Sequence, residues 1–140
     1  MANGDFLLDD AQVGYLRTDP GWFNNRPGVT DADVRGDGTR DLVIGVEAAD
    51  ITTPEGTFVE GGGFVALVDL PGDFQGGPEI RESAWAVFYG PSREANPGSS
   101  LAAADVNGDG HDDLLTGATN WTQNGYIGAG GAWFLLGGGI

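Results

Sequence analysis

Asp105-Val106-Asn107-Gly108-Asp109-Gly110-His111-Asp112-Asp113 places oxygen side chains at its first, third, fifth and ninth positions. The seventh, His111, offers a carbonyl, and Gly108 and Gly110 sit where the chain must turn sharply. Asp and Asn oxygens at this spacing can converge on Ca²⁺, which accepts six to eight oxygen ligands in flexible geometry. Mg²⁺ fits less well because it demands stricter octahedral order and keeps its waters. Asp, Asn and Gly also build ordinary ion-free turns. Asp105, Asp109 and Asp113 would repel one another if they converged without a cation, which favours the ion. The expected donor set is Asp105, Asn107, Asp109, the His111 carbonyl and Asp113.

An EF-hand would need a bidentate Glu at position twelve and a helix on either side. Position twelve is Thr116, and neither Leu114-Leu115-Thr116-Gly117-Ala118 nor Pro97-Gly98-Ser99-Ser100-Leu101 has a helical period. The same objections exclude a dockerin-like loop and helix. An acidic loop closed at position nine and running straight into a strand describes the stretch better.

Ala104 to Gly110, then Asp112-Asp113-Leu114-Leu115 and Gly117-Ala118, resembles the FG-GAP repeat of integrin α-subunit β-propellers and related bacterial proteins. Gly130-Gly131-Ala132-Trp133-Phe134-Leu135-Leu136-Gly137 is similar to the later strand of that repeat. The resemblance implies a Ca²⁺ loop between two strands of a propeller blade. It further implies extracellular adhesion or recognition, with ligands held by loops on one face.

The chain contains the unit twice. Asp33, Asp37 and Asp41 fall on Asp105, Asp109 and Asp113 at an offset of 72 residues, and Gly36, Gly38 and Gly45 match as well. Gly62 to Val68 corresponds in type to Gly131 to Leu136. The first copy departs at one position: Arg35 stands where Asn107 supplies the third ligand. A guanidinium cannot coordinate a cation. Either Asp33, Asp37, the Thr39 carbonyl and Asp41 bind Ca²⁺ more weakly, which is slightly favoured, or Arg35 itself neutralises the cluster.

Composition agrees with an all-β chain. Gly supplies 26 of 140 residues without a Gly-X-Y period, which fits short strands joined by tight turns. The expected architecture is two four-stranded antiparallel β-propeller blades, residues 1–72 and 73–140. In the first copy, Phe6-Leu7-Leu8 and Val13-Gly14-Tyr15-Leu16 read as outer material. Strands follow near Val29 to Ala32, Asp41 to Val46 and Gly63 to Asp69. In the second they are Ile80 to Tyr89, Ser100 to Ala104, Asp113 to Ala118 and Gly131 to Leu136. Two blades cannot close a propeller and leave two apolar faces, so completion by copies of the same chain is expected. A trimer of six blades or a tetramer of eight is favoured over a crowded dimer of four.

Charge narrows the partners. Asp and Glu total 21 against six basic residues, all Arg, for a net charge of −15. Nucleic acid and anionic membrane surfaces are therefore excluded as expected partners. Adaptation to high salt is a second reading of the same acidity. No apolar run approaches the roughly 20 residues that span a bilayer, and no signal peptide is evident. With no Cys, disulfides cannot report the compartment; the abundance of Ca²⁺ outside cells favours an extracellular or cell-surface location.

Catalysis finds little support. The single His111 lies in the acidic loop with its side chain expected outward, and neither a Cys nucleophile nor a phosphate-binding Gly loop is present. No pair stands out among the 21 acids, so no enzyme is expected. Arg35-Gly36-Asp37 spells an integrin-recognition tripeptide, but its Asp is expected to turn inward as a ligand. Asn120-Trp121-Thr122 is an N-glycosylation sequon. Trp22 and Trp121 lie in long loops, where they could stack on a glycan, although folding back onto the blade is the more ordinary role. The alternatives to a recognition module are thus a lectin-like propeller or a purely structural block of a larger assembly.

Overall fold

The computed structural model describes residues 27–70 and 79–140. Phe6 to Leu8, Val13 to Leu16 and Trp22 lie outside the described residues. Within them the chain is all-β except for one helical turn, α1 (Ile80–Ser83). The strands are β1 (Pro27–Ala32), β2 (Asp41–Val46), β3 (Ile51–Thr52), β4 (Phe58–Val59), β5 (Phe64–Val68), β6 (Ala84–Tyr89), β7 (Pro97–Ala104), β8 (Asp113–Ala118) and β9 (Gly131–Leu135). β2 and β8 fall where the repeat alignment places them. Each begins at the closing Asp of an acidic loop and runs through residues apolar on both faces.

Three antiparallel sheets result: β1-β2-β5-β6, β7-β8-β9 and the small hairpin β3-β4. None is closed on itself. The first has four strands, but its fourth strand comes from an unexpected place. The sequence places Ile80 to Tyr89 in the second copy, whereas β6 pairs with β5 through Phe64↔Tyr89, Val65↔Phe88 and Ala66↔Val87. Sequence likeness locates copies of a unit; hydrogen bonds join the end of one copy to the beginning of the next. The second sheet has three strands among the described residues rather than four. The outer edge of β9 is where a counterpart of β6 would lie.

Strand alternation divides the core into two layers. Val43, Val65 and Leu67 point from one face of the first sheet towards Leu101, Ala103, Leu114 and Leu135 of the second. On the opposite face, Ile44, Val46, Phe64, Ala66 and Val68 pack with Ala49, Ile51 and Ile80. Fully burying one such side chain is worth about 1.5–3 kcal/mol, so both layers matter. The expectation of two bare apolar faces is therefore half met. The outer face of the first sheet is buried within the chain, whereas the outer face of the second leaves Leu115 and Phe134 about half exposed. By the 72-residue offset Leu115 is the counterpart of Val43, which the neighbouring sheet covers completely.

The sheets approach most closely at glycines. A Cβ on Gly45 would lie 2.4 Å from Gly98 Cα, and one on Gly28 would lie 2.7 Å from the Gly98 carbonyl oxygen. Away from this contact the sheets diverge, leaving a cleft of about 250 Å³ between β6 and β9. Phe88 and Tyr89 form one wall and Trp133 and Leu135 the other.

Candidate metal centre

The two acidic loops repeat each other in backbone as well as sequence. Gly36 and Gly108 have φ of 65° and 80°, and Gly38 and Gly110 have 83° and 88°. The left-handed region is open to Gly without steric cost, which is why both loops carry it at these turns.

In the second loop the first Asp organises the turn. Asp105 Oδ1 accepts from the Gly108 and Asp109 N–H groups at 2.7 and 3.1 Å, and Oδ2 accepts from Gly110 N–H at 2.9 Å. Asn107 Oδ1 accepts from Asp109 N–H, and Asp109 Oδ1 from His111 N–H, both at 2.9 Å. Asp113 is buried; its two oxygens accept from Val106 N–H at 3.0 Å and Gly137 N–H at 2.8 Å. The five residues expected as ligands thus share one loop and its closing strand. Among the described residues, no three acidic or imidazole side chains are gathered at metal-holding distance. Main-chain N–H groups already neutralise part of the loop's charge, so a cation would reinforce this turn rather than create it.

Those bonds have an electrostatic consequence. Donation from Gly110, then from Gly108 and Asp109, holds the Asp105 carboxyl below the usual carboxylate range despite a smaller opposing effect of burial. A lowered pKa contributes stability above the unfolded value of about 3.9, and that stability is lost as pH falls through the folded value. Asp105→Asn is therefore expected to be less stable than the parent at neutral pH, with the gap narrowing below about pH 4. Urea midpoints in chelator would show this. A gap that stays constant down to about pH 2.5 would mean the carboxylate charge is irrelevant.

The first loop differs as its third residue demands. Asp33 repeats the role of Asp105, accepting from Asp37 N–H at 3.1 Å and Gly38 N–H at 2.9 Å. Asp37 accepts from Thr39 N–H at 2.8 Å. Arg35 reaches Asp41 at 2.8 Å and Asp69 at 2.5 Å, lies 3.8 Å from Asp37, and stacks over the Trp85 ring at 4.8 Å. Burial pushes the Asp41 carboxyl up, and Arg35 pulls it back only in part. Arg35 thus places positive charge among the carboxylates of this loop.

The two loops also dock on each other. Asp112 N–H donates to the Asp33 carbonyl at 2.8 Å, and Asp33 N–H donates to Asp112 Oδ2 at 2.9 Å. Arg40 bridges Asp31 and Asp112. His111, expected to face outward, instead lies between Gly36 and Gly138: a Cβ on Gly36 would be 2.6 Å from its ring, and one on Gly138 2.9 Å. The alignment held a trace of this. Gly36 serves the turn, and its absent side chain also makes room for the imidazole.

Residues 97–133 match the FG-GAP repeat. The match lies in the second copy and includes the whole acidic loop, β8 and the start of β9. An FG-GAP repeat suggests an integrin-like β-propeller module, and the antiparallel sheets are consistent with one. The first copy rests on its internal likeness to the second. No curated protein matches the chain.

Trp121 sits in the FG-GAP segment but is not presented as a free stacking surface. Its ring lies 4.6 Å from that of Trp133 at an interplanar angle of 39°. Aromatic pairs at such separations contribute about 0.5–1.5 kcal/mol beyond their buried area. The loop aromatic thus folds back onto β9 of its own sheet. No helix among the described residues is long and apolar enough to cross a membrane.

Proposed function

We propose that this chain is a Ca²⁺-stabilised, propeller-type module for extracellular or cell-surface recognition that completes its architecture with copies of itself. The observation that carries this reading is the coincidence of the FG-GAP match with the donor set Asp105, Asn107, Asp109, His111 carbonyl and Asp113. These residues would hold the ion in the second loop, where no basic side chain replaces a ligand. The ion would supply positive charge to the expected donor set, whose carboxylates now rely on N–H groups. The first loop carries its own cation in Arg35, so it needs Ca²⁺ less. Assembly into a trimer of six blades or a tetramer of eight is supported by the half-exposed Leu115 and Phe134 and by a β9 edge that has no partner strand among the described residues.

A ligand that prefers the folded state stabilises it by mass action, about 1.4 kcal/mol at a tenfold excess over its dissociation constant. Melting in Ca²⁺ is expected at a higher temperature than melting in EDTA. Asp109→Ala should abolish most of that difference, and Asp37→Ala should leave most of it. An identical midpoint with and without chelator would remove the metal from this reading.

A purely structural block of a larger assembly is the second reading. It is favoured by the stacking of Trp121 on Trp133, which weakens the lectin-like alternative. Glycan-array and protein pull-down experiments on the assembled protein separate recognition from pure construction.

A further inference from the structure

The chain contains one sheet-to-sheet contact, and its repeat leaves both halves of a second one exposed. β7, an edge strand of the second sheet, lies across β1 and β2 of the first. Leu101 of β7 seats on Gly28, 3.4 Å from where a Cβ would stand there, and Ala103 joins Val43 and Leu67 in the apolar layer. At the 72-residue offset Leu101 corresponds to Val29 on β1. The cluster around Ile51 takes in Ile44, Val46 and Phe64 but not Val29, which is 61% exposed. On the receiving side, Gly28, Val43 and Gly45 correspond to Ser100, Leu115 and Gly117. Together with Ala102 and Ala132 these line a depression of about 380 Å³ in the second sheet.

We infer that this depression is the socket for β1 of a second copy, which seats Val29 against Ser100 as Leu101 seats against Gly28 within the chain. The inference rests on the proposed self-assembly and names the two surfaces that make it.

Size and charge both fit the exchange. Val29 is one methylene smaller than Leu101, and Ser100 is larger than Gly28, so the filled volume changes little. Asp31 takes the place of Ala103, and it arrives already paired with Arg40. Arg40 itself stands where Asp112 stands in the second copy. Asp112 docks on Asp33 within the chain, so Arg40 comes to the loop that begins at Asp105, the counterpart of Asp33. A cation thus meets an acidic loop, which favours association of chains that each carry a charge of −15. The two surfaces are unlike, so the contact runs head to tail and closes a ring when its rotation divides a full turn.

Full-length Val29→Arg and Leu115→Arg chains remove plug and socket in turn. Each is expected to show the mass of a single chain by light scattering, while the parent shows that of a ring. Mixed one to one, they should double in mass. The intact Val29 of one chain then meets the intact Leu115 face of the other, and growth stops at two. Should either substitution prevent folding, Val29→Cys and Ser100→Cys chains carry the test, since the parent has no Cys to compete. Mixed and oxidised, they should give at least fivefold more covalent pair than Thr30→Cys with Ser100→Cys. Thr30 opposes Val43 and points to the other face of β1. Arg variants that keep the parent's mass, a mixture that stays at one chain, or equal linking from positions 29 and 30 would each overturn the contact. If the parent is nevertheless an oligomer, self-assembly stands without this contact; a monomeric parent removes both.

Discussion

Gly45→Ala is expected to destabilise the protein by about 3 kcal/mol, the upper part of the range for overpacking, whereas Gly117→Ala should cost less than about 1 kcal/mol. The two glycines are counterparts at the 72-residue offset, both on β strands that follow an acidic loop. Their surroundings differ. A Cβ at Gly45 would press on the Gly98 main chain, 2.4 Å from its Cα and 2.6 Å from its carbonyl oxygen. Backbone cannot rotate away, so the two sheets would have to separate. At Gly117 the nearest atom is Ser100 Oγ at 2.4 Å, which can change rotamer. Urea unfolding of both variants reads the difference directly, as a shift in midpoint at constant slope. Equal losses at both positions would mean that the sheets are not packed through Gly45 and Gly98. Gly117→Ala has a second use, because its position lies on the outer face that bears Leu115 and Phe134. A contact there would be weakened by the added methyl while each chain stayed folded.

Arg35→Leu is expected to cost about 2 kcal/mol, and Arg35→Asn to recover much of that loss when Ca²⁺ is present. Removing one partner of a buried ion pair typically costs about 3–5 kcal/mol because it strands the other charge. Asp41 is fully buried but Arg35 is about one-third exposed, with a side-chain accessibility of 36%, so solvent screening reduces the loss. Leu leaves the carboxylates of the first loop without a counter-charge. Asn does the same in EDTA, but it restores the oxygen that Asn107 provides in the second loop. Thermal melts of the two variants with Ca²⁺ and with EDTA distinguish these effects. If Asn and Leu behave alike in Ca²⁺, the first loop cannot be converted into a cation site by its third residue.

Much of the architecture was legible because the repeat carries both a turn and a strand. The closing Asp, followed by Leu42-Val43-Ile44 or Leu114-Leu115, fixes where β2 and β8 begin. The allegiance of β6 was not legible, since periodicity shows that a segment is a strand but not which neighbour accepts its hydrogen bonds. The hairpin β3-β4 left a readable sign in Pro54-Glu55-Gly56 between Ile51-Thr52 and Phe58-Val59. A turn triplet between β-prone pairs is a hairpin signal, although each flanking pair is too short to read as a strand by alternation alone. Ile51, fully buried against the first sheet, is why that sheet's outer face is not bare. At the candidate site, Arg35 announced itself as a departure from the ligand pattern. The inward turn of His111 depends on the other loop coming close, a tertiary fact that local spacing does not contain.

The reciprocal bonds between Asp33 and Asp112, with His111 lodged beside Gly36, bear on cooperativity. In a linear array of repeats, stability is approximately the sum of each unit's own free energy and a coupling energy between neighbours. Here part of the coupling, beside the apolar layer between the sheets, sits at the acidic loops, the same segments that set each unit's own free energy. Loss of order in one loop therefore removes an intrinsic contribution and that part of the coupling together. The half-folded intermediate, with one copy intact and the other melted, is penalised twice, and unfolding is expected as a single transition.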